Sequence, residues 1–258
     1  MQNKNNEFKN KAIELFIDKT KYSKDQIKQI NKIENGFSNN ANFLFLLDNG
    51  DKFQVKIPKG KNTLFPDIKS AFLYDSSIYI YLNENGLMIK KWIEGKHVDF
   101  SEEKHARWVL DEIQKLHNIK IESNEMGMYD INAYRKKTNI PTKFLKEFDV
   151  LSTELQKYEI SFIHGDINPK NVLVTKSRAL LIDFEWSKNG YSILDYAYLI
   201  AFSKININLV SKVTNYNVQE LEKMVRFVLI HTLMWCENEQ TDKSSILSKE
   251  IMEKLQIN

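Results

Sequence analysis

Apolar and polar positions follow two different periods along this chain, and the change of period divides it. In the first third they alternate. The runs NFLFLLDNGDKFQVKIPK and SSIYIYLNENGLMIKKWIEG each place two strand-like stretches around a turn, Asp48-Asn49-Gly50-Asp51 in the first and Asn83-Glu84-Asn85-Gly86 in the second. Asn-Gly between alternating stretches is the strongest short-range hairpin signal. An amphipathic helix over 7–18 precedes them. Beyond residue 100 the apolar spacing becomes helical and predicts helices over 101–117, roughly 141–157, 193–203, 218–237 and 244–255. Ser101 followed by Glu102 and Glu103 gives the first of these a good start. FIHGDINPKNVLV reads as an apolar strand end, a polar loop closed by Pro169 and a short strand from Val172, while ALLIDFEW is an apolar run that stops at an acid. Together they predict a strand–loop–strand hairpin. The segment KGKNTLFPDIKSAFLYD is broken by Pro66 and contains no Glu.

Composition narrows the class. With 258 residues, 42% hydrophobic and 12% aromatic, the chain can bury a substantial core, either as one two-lobed unit or as two small domains. Net charge is +3, and the basic residues are 33 Lys against 4 Arg, dispersed throughout. Nucleic-acid surfaces concentrate their basic residues and favour Arg, so no nucleic-acid partner is expected. Cys236 is the single cysteine, which excludes an intrachain disulfide; within VLIHTLMWC it reads as a small buried hydrophobe. The amino terminus MQNKNNEFKN has no apolar core of a signal peptide, and no apolar run approaches eighteen residues. A cytoplasmic protein without membrane insertion is expected.

The candidate chemistry lies in one short stretch holding His164, Asp166, Asn171, Asp183 and Glu185. Oxygen-bearing side chains of this kind suit Mg²⁺, which keeps its other positions for water and phosphates. Asp166 and Asn171 fit the D-x-x-x-x-N spacing of a kinase catalytic loop, and Asp183-Phe184-Glu185 stands where protein kinases carry Asp-Phe-Gly. Asp166 would accept the proton of an attacking hydroxyl, with Asn171 and Asp183 as metal ligands. Glu185 is either a further ligand or a loop support. His164 is the second candidate in the catalytic loop, more suited to bonding backbone than to acting as base beside an Asp. In FQVKIPK, Phe53, Val55 and Ile57 share one face and Gln54 and Lys56 the other, so Lys56 is the candidate for the nucleotide phosphates. A P-loop, GxxxxGK[ST], is absent.

HGDINPKNVLV, LLIDFEW and LDYAYLIA resemble the choline/ethanolamine kinase family within the aminoglycoside phosphotransferase and protein-kinase-like superfamily. The Gly after His164, DFE in place of DFG, and Asp195 twelve residues after Asp183 lean toward the choline kinases. The similarity runs over about 31–235 and is strongest over 162–201. It implies an α+β, bilobal protein-kinase-like fold: a small antiparallel β lobe over 1–93 that binds nucleotide, then a larger, mainly helical lobe over 94–258 with the catalytic loop and acceptor site. ATP and Mg²⁺ are the implied cofactors. ENGFSNNANFLF resembles the phosphate-covering loop, which assigns Gly36, Ser38, Asn39 and Asn42 to phosphate. LMIKKWIEG resembles the segment that receives adenine on the backbone of Lys91 and Ile93. Asp195 is implied as a brace beneath the loop. Relatives also carry a helix Glu that pairs with the strand Lys, and no counterpart is evident here.

A cationic acceptor is best held by aromatic faces beside a carboxylate. Trp186, Tyr191, Tyr196 and Tyr198 supply the first candidates, Trp235 and Glu237 the rest. HTLMWCE departs from the paired tryptophans of choline kinases. The expected activity is ATP-dependent transfer of the γ-phosphate to the hydroxyl of a small cationic alcohol, choline or ethanolamine first. The alternatives are an aminoglycoside- or thiamine-type small-molecule kinase, or a non-catalytic kinase-like module that binds nucleotide.

Overall fold

The computed structural model describes residues 2–33, 40–59, 65–121, 127–136 and 138–257. Its contacts divide the chain into two units, Met1–Glu94 and Gly95–Asn258. The fold class is α+β, with the antiparallel sheet in the first unit and most of the helices in the second.

The first unit opens with α1 (Gln2–Lys19) and continues through β1 (Ile27–Ile33), β2 (Asn40–Leu47), β3 (Lys52–Pro58), α2 (Phe65–Tyr74), β4 (Tyr79–Leu82) and β5 (Met88–Lys91). The strands form one antiparallel sheet in the order β1-β2-β3-β5-β4. Register follows the alternation: Phe45 stands opposite Phe53 and Phe43 opposite Val55, so the apolar side chains of β2 and β3 share a face. Ala12 and Phe16 of α1 close that face, with the Phe16 ring 4.9 Å from Phe45 and 5.4 Å from Phe53. A fully buried side chain the size of Phe16 contributes about 1.5–3 kcal/mol. The turn after β2 places Gly50 at φ +88, the left-handed conformation that the Asn-Gly pair anticipates. Residues 65–74 correct the reading of that segment as broken. Pro66 lies in the first turn of α2, where its missing N–H has no helical partner to lose. The helix carries no Glu.

The second unit comprises β6 (Lys96–His97), α3 (Glu103–His117), α4 (Thr142–Leu155), β7 (Ile160–Ile163), β8 (Val172–Val174), β9 (Ala179–Leu181), β10 (Lys188–Tyr191), α5 (Ile193–Phe202), α6 (Ile207–Thr214), α7 (Val218–Glu239) and α8 (Asp242–Ile257). Helix α6 was not anticipated. At the centre is α7, packed by α4, α5, α6 and α8. A reciprocal capping box starts it: Asn217 Oδ1 accepts from the Glu220 N–H at 2.9 Å, and Glu220 Oε2 accepts from the Asn217 N–H at 2.9 Å. Phe148 and Phe227 stack at 4.8 Å between α4 and α7, and Cys236 is buried in the same helix. Among the described residues no helix is long and apolar enough to cross a membrane.

The predicted hairpin is corrected too. β7 pairs with β10 as a two-stranded sheet, whereas β8 lies between β6 and β9 in a three-stranded one. The polar loop 164–171 therefore passes from one sheet to another. Only β8 and β9 form a hairpin, which brings Asn171 and Asp183 to the same end.

Candidate active site

A buried carboxylate beneath the loop sets its shape. Asp195, in the first turn of α5, is fully buried. Its Oδ2 accepts from the His164 N–H at 2.9 Å, its Oδ1 from the Gly165 N–H at 2.8 Å, and His117 Nε2 donates to Oδ2 at 2.9 Å. Charge-assisted bonds of this kind are roughly twice as strong as neutral ones. The His164 ring is buried, donates from Nε2 to the Ile182 carbonyl at 3.0 Å, and packs on Phe184 at 4.8 Å. It faces the protein interior, where its bond ties the loop to the residue that follows β9. Gly165 has φ +79, and a Cβ there would lie 2.7 Å from the Trp186 carbonyl oxygen. Only glycine fits that crossing.

The next residues converge on Asp166. Asn171 Nδ2 donates to its carbonyl and to Oδ2, both at 2.9 Å, and Asn168 Nδ2 donates to Oδ1 at 3.1 Å. Asn168 Oδ1 in turn accepts from the Lys170 N–H, capping the short helical turn that Pro169 begins. The Ile182 N–H donates to the Asn171 carbonyl at 2.9 Å, which sets Asp183 beside that residue. Asp183 is exposed at φ +65, a left-handed conformation that Asp tolerates better than most residues. The Asp166 carboxyl is pushed up to about 7. Burial is the main cause, the carboxylates of Asp183 and Glu185 add to it, and the amides of Asn168 and Asn171 oppose it. Four of the residues singled out from the sequence thus come together in one place.

The donor set fits Mg²⁺. Both described bonds of the Asn171 side chain use Nδ2, so Oδ1 is the atom that could ligate a metal together with the Asp183 carboxylate. Among the described residues no three Asp, Glu, His or Cys side chains form a metal cage. Mg²⁺ is usually held by one or two carboxylates with substrate phosphates, so a sparse set is sufficient.

In the first unit, Lys56 and Asn42 are buried and stand opposite one another across β2 and β3. By strand alternation Lys56 lies on the face away from α1, and Asn42 Oδ1 accepts from Gln54 Nε2 at 3.1 Å. The Trp92 N–H donates to the Lys52 carbonyl, so by alternation the backbone groups of Lys91 point to the other edge of that strand, and Ile93 lies beyond its end. Gly36, Ser38 and Asn39 lie outside the described residues.

The aromatic candidates occupy several elements. Tyr191 stands opposite Ile160 while Lys188 stands opposite Ile163, so Tyr191 lies three residues, about 10 Å, from the loop end of its sheet. Tyr196 and Tyr198, two apart on α5, face opposite sides. Tyr196 meets His117 edge-on at 5.4 Å, and Tyr198 bonds Tyr129 Oη at 3.0 Å and His231 Nδ1 at 3.1 Å. Trp186 is half-buried with its carbonyl against Gly165. Trp235 and Glu237 sit late in α7, half-buried and exposed respectively. Sequence reading missed Tyr129, Tyr134 and His231. Tyr129 is fastened by its N–H to the Asn189 carbonyl at 2.7 Å, and both Tyr129 and Tyr134 pack on the His231 ring, at 5.8 and 5.6 Å. His231 at the centre of an apolar helix was the one available signal.

Comparison with known proteins gives a family and a fold. The profile described as ternary complex associated domain 9 matches residues 106–250. No curated protein matches the chain. Among solved structures, a choline/ethanolamine kinase family protein from Mesorhizobium loti superimposes with a TM-score of 0.73 at 15% identity, covering 98% of this chain and 94% of that one. The choline kinase LicA from Streptococcus pneumoniae gives 0.69 at 19% identity, with 97% and 98% covered. An aminoglycoside phosphotransferase in ternary complex with ADP and hygromycin B gives 0.64 at 11% identity, with 95% and 97% covered. The fold is the kinase-like fold of these proteins.

Proposed function

The chain belongs to the ternary complex associated domain 9 family, and we propose that it is an ATP-dependent phosphotransferase that phosphorylates the hydroxyl of a small, cationic alcohol. The observation that carries this reading is the Asp166 carboxylate, held by the Asn171 amide at 2.9 Å beside Asp183. Phosphoryl transfer asks the protein chiefly for positioning and charge stabilisation. Asp166, with its carboxyl near 7, takes the proton of the attacking hydroxyl and orients that hydroxyl. Asn171 Oδ1 and Asp183 would hold Mg²⁺, with the Glu185 carboxylate close enough to act on Asp166. A bound Mg²⁺ would neutralise charge on the phosphate oxygens. In the other unit, Lys56 with Asn42 is assigned to the phosphates, and the backbone of Lys91 and Ile93 to the base. Kinase-like neighbours crystallised with AMP or ADP support a nucleotide. The acids Asp130 and Glu239 act on the Tyr134 hydroxyl, a setting that favours a positively charged alcohol such as choline or ethanolamine.

ADP release measured with choline, ethanolamine, thiamine and kanamycin tests the reading. Turnover on any of them, abolished by Asp183→Ala, supports it. Nucleotide binding without turnover across the panel replaces it with a non-catalytic nucleotide-binding module.

A further inference from the structure

Beside the catalytic loop, Tyr129, Tyr198 and His231 form a hydrogen-bonded chain that none of the roles above employs. Tyr129 is half-buried, and its ring lies 3.1 Å from the place a Cβ on Gly165 would occupy, next to Asp166. The Asp166 carboxylate is near enough to the hydroxyls of Tyr129 and Tyr198 to oppose their ionisation. From there the bonds run inward, 3.0 Å from Tyr129 Oη to Tyr198 Oη and 3.1 Å from Tyr198 Oη to Nδ1 of His231.

The direction of these bonds follows from the imidazole. His231 is 4% exposed, and burial lowers it to about 4, so near neutral pH it carries one ring proton. Nε2 has no polar partner among the described residues. The rings of Tyr129, Tyr134, Phe148 and Phe227 surround the imidazole at 5.6–6.3 Å between centroids. Phe148 and Phe227 lie nearly parallel to the imidazole, at 17° and 10°, whereas Tyr129 and Tyr134 are inclined to it at 47° and 59°, so an in-plane N–H can meet their faces; a face attracts an N–H and repels a lone pair, which puts the proton on Nε2 and leaves Nδ1 bare. Tyr198 must then donate its hydroxyl proton to Nδ1 and accept from the Tyr129 hydroxyl. Tyr129 Oη has directed its only proton inward and presents lone pairs alone to the side of Asp166.

We propose that Tyr129, with its hydroxyl oriented by Tyr198 and His231, is a specificity-determining residue that accepts a hydrogen bond from an N–H or second O–H of the alcohol substrate. The inference rests on the phosphotransferase reading. An alcohol with a protonated amine or a further hydroxyl satisfies the Tyr129 oxygen, whereas a quaternary ammonium leaves it unpaired. Sites built to receive such a bond discriminate against analogues that lack it. His231 acts through the tyrosines and is a positioning residue.

The test compares wild type with Tyr129→Phe, His231→Phe and the double variant on the same four alcohols, of which only choline lacks a donor apart from its reacting hydroxyl. For any donor-bearing alcohol that is turned over, each single variant should raise KM by roughly tenfold, the scale of one hydrogen bond. The double variant should raise it no further, and KM for ATP should stay within about twofold. Ethanolamine should be preferred over choline in the wild type, and ¹⁵N spectra of wild-type His231 should show the proton on Nε2. A proton on Nδ1, a preference for choline, an unmoved KM for donor-bearing alcohols, or additive effects of the two substitutions would each overturn the proposal while leaving the phosphotransferase reading intact. A wild type that turns over none of the four removes both.

Discussion

Loop 164–171 and segment 127–136 border the same Asp166, yet different bonds hold them. The loop hangs from one hub: the Asp195 carboxylate takes two main-chain N–H groups and the His117 imidazole at 2.8–2.9 Å. Segment 127–136 is fastened at several weaker points. The Tyr129 N–H donates to the Asn189 carbonyl of β10 at 2.7 Å and the Asn189 N–H to the Gly127 carbonyl at 3.2 Å, two hydroxyls lead to His231, and Arg135 pairs with Asp149 near the surface. A hub loses several bonds when one residue changes, while a distributed attachment loses one. The roles proposed above would put chemistry, which tolerates little displacement, on the hub, and acceptor selection on the segment with the distributed attachment.

The largest expected effect probes the loop itself. Asp166→Ala should lower kcat by about 10²–10⁴-fold, the range for loss of a general base, with the urea midpoint nearly unchanged. A large fall in stability would mean that the residue serves the fold rather than the reaction. Next, Asp195→Asn turns an acceptor into a donor facing main-chain N–H groups. It should cost about 2–4 kcal/mol in urea unfolding, together with most of the activity.

The segment's inner anchor comes third. His231 has a folded value of about 4 against an ordinary 6.5, so as pH falls the unfolded chain takes up the proton first. Stability present above pH 6.5 should drain away between about 6.5 and 4, by at most about 3 kcal/mol. His231→Phe should lack this slope in urea titrations across the same range. The smallest effect belongs to Arg135→Ala, which removes an ion pair with side chains 31% and 54% exposed and should cost less than about 1 kcal/mol in urea unfolding. A cost equal to that of Asp195→Asn would erase the distinction between hub and distributed attachment.

The same contrast explains what could be read from the amino acids. Asp166, Asn168 and Asn171 are joined across at most five residues, so their spacing was already their geometry. The Asn-Gly turns and the alternation of β2 and β3 were legible for the same reason. Tyr129 meets partners 69 and about 100 positions away, at Tyr198 and His231, and no local pattern announces such a meeting. Which tyrosines share a face was less legible, because helical rotation turns Tyr196 and Tyr198 to opposite sides of α5 and the β7–β10 register sets how far Tyr191 lies from the loop. Pro66 reads as a break in the sequence yet lies at the start of a helix, since the residue suits both. Pairing of β7 with β10 rather than β8 is a choice among apolar strands that their composition alone does not make.

Cys236 offers a practical consequence. It is the chain's single thiol, lies inside α7 five residues beyond His231, and is pushed up to about 12 by burial. Only the thiolate reacts with alkylating reagents, so in the closed helix it is both hidden and in the wrong protonation state. The rate at which unmodified protein takes up one label is therefore a clock for the opening of α7, readable by mass with and without nucleotide.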